Sequence, residues 1–98
     1  MQERAMGAPW RSAPQLLGQV VVLDVASVYV YIGRMVRLDD DCLELEDADV
    51  HDLRDTSTTR EKYVLDSRLY GVRPNRRRVW VRTHEVVSIS RLEDVIPD

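Results

Sequence analysis

The 98-residue sequence has no phenylalanine, one cysteine (Cys42) and one lysine (Lys62). A single cysteine excludes an intrachain disulfide framework and points to a reducing compartment. Cys42, His51 and His84 are too few and too scattered for a structural zinc site. No long hydrophobic run is present either. The most apolar stretch, Val20 to Ile32, contains Asp24 and Ser27 and is too short to span a bilayer. Near the N-terminus, Arg4 and Arg11 flank a Gly/Ala/Pro stretch without the apolar centre of a secretory signal. These features predict a cytoplasmic protein without a membrane partner.

Catalytic signatures are missing as well. The chain has no Gly-rich phosphate loop, no nucleophile elbow and no HExxH-type metal motif. A His–Asp–Ser set can be assembled from Asp66, Ser67 and His84, but such a set arises by chance in a chain of this length. Asp39-Asp40-Asp41 offers carboxylates to a divalent cation. It lacks the further oxygens at defined spacing, and the Gly, of a calcium loop. It reads as a solvated turn. The expectation is a non-enzyme with no metal, no cofactor and no small-molecule substrate.

Valine is abundant, with fifteen residues. It is β-branched and favours strands, so the composition leans towards β structure. Apolar residues make up 44% and charged residues 32% of the chain, the balance of a globular domain and not of a disordered one. The net charge of -3 conceals an asymmetry. Residues 1–52 hold ten acids and four bases, whereas residues 53–98 hold seven acids and ten bases. Thirteen of the 14 bases are arginine. Two oppositely charged regions suit self-association or one local basic face.

The length predicts a single domain over residues 12–98, preceded by a tail at 1–11 that includes Trp10. Ser12 before Pro14, with Gly18 as a stop, predicts a short N-terminal helix. Gln19 to Val25 and Val28 to Leu38 read as strands. In the second, Val28, Val30, Ile32, Val36 and Leu38 share one parity, and Gly33 marks a bend or bulge. After the Asp39–Asp41 turn, Leu43 and Leu45 alternate with Glu44 and Glu46, as in a strand with one wet face. Residues 52–77 form a variable insertion. Within it, Thr58-Thr59-Arg60-Glu61 has capping-box spacing and good helix formers lead to Gly71, so 58–70 reads as a helix. The competing reading is a strand at Tyr63–Leu65. Pro74-Asn75 is a turn. Arg78 to Arg82 and Glu85 to Ser90 are strands, with Val79 and Val81 opposing Trp80 and Arg82, and with Val87 and Ile89 on one face. Five short twisted strands predict a small, strongly bent antiparallel barrel with a helical insertion between strands 3 and 4.

Two blocks resemble the Sm/LSm family. The first runs from Leu16-Leu17-Gly18-Gln19-Val20-Val21-Val22 through Gly33-Arg34-Met35-Val36-Arg37-Leu38-Asp39 to Leu43-Glu44-Leu45-Glu46-Asp47-Ala48. It is similar to the family's first motif: a hydrophobic strand, a Gly, a hydrophobic residue two later, an Asp six later, then a strand ending in acidic-Ala. The second, Val79-Trp80-Val81-Arg82-Thr83-His84-Glu85-Val86-Val87-Ser88-Ile89, is similar to the short second motif. The resemblance implies an Sm-like barrel that assembles into hexameric or heptameric rings through the fourth strand of one subunit and the fifth of the next. It also implies single-stranded RNA binding around the pore. Arg82 matches the arginine that contacts RNA bases, Asp39 the aspartate of the first motif, and His84 a histidine of the bacterial Hfq branch. Thr83 stands where the family has Gly, and Cys42-Leu43 stand near the place of Met-Asn.

The candidate RNA-binding residues are therefore Arg82, His84, Asp39, Arg78 and Thr83. Arg76-Arg77-Arg78 with Trp80 and Arg82 combine charge with an aromatic ring, as nucleic-acid surfaces do. Against this, the same arginines have Glu44, Glu46 and Asp49 as candidate ion-pair partners in the sheet. Two alternatives follow. One is a homo-oligomeric scaffold or interaction module of Sm-like type without RNA. The other is a monomeric SH3-like barrel that docks a peptide or a larger assembly.

Overall fold

The computed structural model of the protein describes residues 14–97. The expected tail at 1–11, Trp10 and the Ser12 helix start lie outside the described residues. Within them, the segment before Gly18 forms one 3₁₀ turn, Pro14–Leu16. Five strands follow: β1 (Val20–Val25), β2 (Tyr29–Leu38), β3 (Cys42–Asp52), β4 (Arg76–Arg82) and β5 (Val86–Arg91). One helix, α1 (Arg60–Tyr70), lies between β3 and β4. Among the described residues no helix is long and apolar enough to cross a membrane.

The strands form one sheet in the order β4-β3-β2-β1-β5, antiparallel throughout. The expected barrel is not closed, because no ladder joins β4 to β5. The sheet nevertheless bends far enough for Val81 of β4 and Val86 of β5 to share one core with Leu23, Met35, Leu43 and Leu45. Three register shifts accompany the bend. In the first, Ile32 pairs with Asp49 and Arg34 with Glu46, so Asp47 and Ala48 face Gly33. Asp47 takes the left-handed φ of 50° that this bulge needs. Gly33 is required by close approach: a Cβ there would lie 2.9 Å from the Ala48 Cβ. The second shift places Val36 as the extra residue of β2, and the third places Val87 as the extra residue of β5.

These shifts correct two expectations of face. Within β2, Val30 and Ile32 lie on the opposite face from Tyr31 and Met35, and the Val36 bulge then turns Leu38 to the side of Met35. In β5, Val86 enters the core and Val87 is 70% exposed. Each bulge inserts one residue, and one residue flips the side of every residue after it. The sheet also has a second covered face. Val22, Val30 and Ile32 pack under Tyr63 and Val64 of α1 and under Leu92 and Val95 near the C-terminus. The interior strand β1 is therefore buried on both faces.

Helix α1 begins one residue later than the Thr58–Glu61 capping-box spacing places it. Thr59 is the N-cap, and its Oγ1 accepts from the Lys62 N–H at 3.1 Å. It ends at Gly71, whose φ of 100° favours glycine and whose N–H donates to the Ser67 carbonyl. Arg60 ties the helix start to β1 through Asp24 at 3.0 Å. The strand alternative at Tyr63–Leu65 is overturned.

Candidate nucleic-acid interface

The two motif blocks meet at one end of the sheet. Asp39 opens the β2–β3 turn as an Asx cap. Its Oδ1 accepts from the Asp41 N–H at 2.9 Å and the Cys42 N–H at 2.8 Å, and its own N–H donates to the Cys42 carbonyl. The Cys42 and Asp41 amides hold its carboxyl below the usual carboxylate range. Cys42 then pairs with Arg82, the last residue of β4. Beyond Arg82, Thr83 is 3% exposed. Its Oγ1 donates to the Asp40 carbonyl at 2.5 Å and its N–H to the Asp41 carbonyl at 2.9 Å. The β2–β3 turn and the Thr83–Glu85 turn are thereby tied together across 43 positions of sequence.

This tie divides the candidate residues. Arg82 and His84 project from the joint and are exposed. Arg82 makes no ion pair among the described residues. The His84 Nε2 lies 3.6 Å from the Glu85 carboxylate. Asp39 and Thr83 are occupied in building the joint. Arg78 lies apart, further back along β4. Its Nη1 donates to Glu44 at 2.5 Å and its Nη2 lies 3.8 Å from Glu46. The hydrogen bond to Glu44 raises the Arg78 pKa and keeps it charged.

Alternation along β4 turns Arg76, Arg78, Trp80 and Arg82 outward, while Val81 is buried and Val79 packs against the core. Trp80 is 61% exposed beside Arg82. Both line an open cleft of about 210 Å³ together with Tyr31 and Glu85. Burial raises the Tyr31 hydroxyl pKa, so the ring is neutral at physiological pH. Neutral aromatic faces and an unpaired guanidinium suit stacked bases and phosphates. Tyr31 is absent from the sequence-based candidates. Its only signal is an aromatic residue in a strand, and its closeness to Trp80 depends on the bend of the sheet.

No family model matches the sequence, and no curated protein matches it. Solved structures do match. The chain is similar to the Sm protein of Pyrococcus abyssii, solved in complex with a uridine heptamer, with a TM-score of 0.56 and 17% identity. The match covers 85% of this chain and 96% of that one. This chain has an Sm-like fold. A second match is the SmAP (LSm) protein of Methanococcus vannielii, with a TM-score of 0.51, 17% identity, and coverage of 84% and 91%. The joint of the Asp39–Asp41 and Arg82–Glu85 segments is where the two blocks that resemble Sm motifs come together.

Proposed function

We propose that the protein is an Sm-like subunit that self-associates through its free edges β4 and β5 and binds single-stranded RNA at the Arg82–His84 joint. The observation that carries this reading is the Thr83 tie. It sets an unpaired arginine, a histidine and an exposed tryptophan at one rim of the sheet. The similar Pyrococcus protein, whose structure is in complex with a uridine heptamer, supports the choice of RNA. The two strand edges, β4 and β5, that no strand covers among the described residues support assembly of copies into a hexameric or heptameric ring. Arg82 supplies charge and base contact, Trp80 a stacking face, and His84 a second donor. Arg78 contributes less, because Glu44 already neutralises it.

A second reading is a ring or scaffold without RNA. The three carboxylates of Asp39–Asp41 beside Arg82 favour it, since they repel phosphate. Native mass measurement and titration of a uridine heptamer separate the two. The RNA reading expects an oligomer whose heptamer affinity falls about tenfold or more in Arg82→Ala and weakens steeply with salt. An oligomer with no heptamer binding at micromolar protein leaves the scaffold reading. A monomer overturns both.

A further inference from the structure

We infer a second nucleotide-binding site, at the opposite end of β4, that takes a guanine-bearing single strand. Residues 68–78 read Arg-Leu-Tyr-Gly-Val-Arg-Pro-Asn-Arg-Arg-Arg, with five arginines and no acid. Only Arg78 of these forms an ion pair among the described residues. Arg68, Arg73, Arg76 and Arg77 are exposed without one. Glu44 and Glu46 thus neutralise the middle of the outward β4 row and leave its two ends cationic. Six residues separate Arg76 from Arg82, which is about 20 Å along a strand. The two ends are distinct sites.

The turn that carries these arginines is pinned. The Asn75 Oδ1 accepts from the Val50 N–H, and its Nδ2 donates to the Val50 carbonyl, both at 3.0 Å. The Asn75 N–H donates to the Ala48 carbonyl at 2.9 Å. A held turn loses less conformational entropy when it binds than a loose one.

Beside the turn lies a cleft of about 330 Å³ at the end of α1, lined by Asp49, Tyr63, Asp66, Ser67, Tyr70 and Arg73. Tyr70 is 81% exposed, a large ring that the fold itself does not use. Asp49 accepts a hydrogen bond from the Tyr63 hydroxyl, which holds its carboxylate in place. Lys62 pairs with Asp66 at 3.2 Å. The cleft combines an aromatic face, two acceptor carboxylates and an unpaired arginine at its edge. A nucleotide fits that combination, with its base on Tyr70 and its phosphates on Arg73, Arg76 and Arg77. The carboxylates select the base. Guanine presents two adjacent N–H donors on its pairing edge, which match one carboxylate. Uracil flanks its single N–H with two carbonyl oxygens, which the carboxylates repel.

The inference shares only the choice of polymer with the Arg82 reading, and its probe differs. Binding is measured for a uridine heptamer and for the same heptamer with two central guanosines. Wild type, Tyr70→Ala, Arg73→Ala and Arg82→Ala are compared; all three positions are exposed. A stacked base is worth enough that Tyr70→Ala is expected to weaken the guanosine strand roughly 5- to 100-fold. The uridine heptamer keeps its affinity in that variant. A thioguanosine in the strand is expected to photo-crosslink within residues 68–77. Equal affinity of wild type and Tyr70→Ala for the guanosine strand overturns the site. So does cross-linking confined to the Arg82 rim. An acidic peptide that binds through Arg73 while neither RNA responds to Tyr70→Ala assigns the patch to a protein partner and overturns it too. A wild type that binds the guanosine strand through Tyr70 but not the uridine heptamer refutes the Arg82 site and leaves this one standing.

Discussion

Thr83→Val tests whether the two motif turns form a unit. The side chain is 3% exposed, and valine keeps its shape and removes only the hydroxyl. What is lost is one hydrogen bond, from Oγ1 to the Asp40 carbonyl at 2.5 Å. The neighbouring bond from the Thr83 N–H to the Asp41 carbonyl stays. A net intramolecular hydrogen bond is worth about 0.5–1.5 kcal/mol. Asp40 is exposed, so water can replace the lost donor and the cost belongs near the lower half of that range. For a domain of this size about 1 kcal/mol lowers Tm by roughly 4–8 °C. Thermal unfolding at fixed protein concentration, followed by circular dichroism, reads it directly. Fixed concentration matters because self-association raises apparent stability by mass action. The functional consequence is larger than the thermal one. With the side-chain half of the tie removed, Arg82 and His84 are held less firmly against the Asp39–Asp41 turn, and heptamer affinity is expected to fall several-fold. Thr83→Ser keeps the hydroxyl and is expected to keep RNA affinity despite losing a buried methyl. A Thr83→Val protein with wild-type Tm and wild-type RNA affinity would refute the reasoning.

Two further expectations concern the sheet and the turn. Gly33→Ala places a Cβ 2.9 Å from the Ala48 Cβ and 3.0 Å from the Ala48 backbone. It is expected to cost about 1–3 kcal/mol in urea unfolding, with only partial rescue by Ala48→Gly because the backbone of residue 48 stays as close as before; an unchanged midpoint would count against the close approach. Asp39 has its pKa lowered by the Cys42 and Asp41 amides, so its stabilising effect is complete above the ordinary carboxylate pKa and is lost as pH falls through the lowered folded value. An NMR titration is expected to show the Asp41 and Cys42 amide shifts moving with a midpoint below pH 3.8; a midpoint above it would break the assignment.

Much of the fold is legible in the sequence because local signals and tertiary structure agree. The Val-rich alternation of β1 and the paired Leu/Glu alternation of β3 fall where the strands form. Thr59 and Gly71 bound the helix as caps do. The failures have a common physical origin. The bulge at Gly33 is marked by the glycine itself, but those at Val36 and at Val87 are created between strands, and no run of residues within one strand reveals the resulting change of side. The start of β4 is two residues earlier than the sequence implies, because three consecutive arginines look like a loop until Ala48 and Glu46 pair with them. At the candidate site, Arg82 and His84 are visible through the family resemblance. The burial of Thr83 and the capture of Arg78 by Glu44 depend on partners 43 and 34 positions away. The stack of His51 on Tyr63, with ring centroids 4.0 Å apart, likewise has no sequence signature.

The position of β1 has a practical consequence. It pairs with β2 on one side and β5 on the other, and both of its faces are covered. Its backbone amides can meet solvent deuterium only when the whole sheet comes apart. The exchange rate at Leu23 therefore reports global opening, whereas amides along the outer edges of β4 and β5 report what docks there. Recording the two together, with and without RNA, separates a ligand that stabilises the subunit from one that only covers its rim.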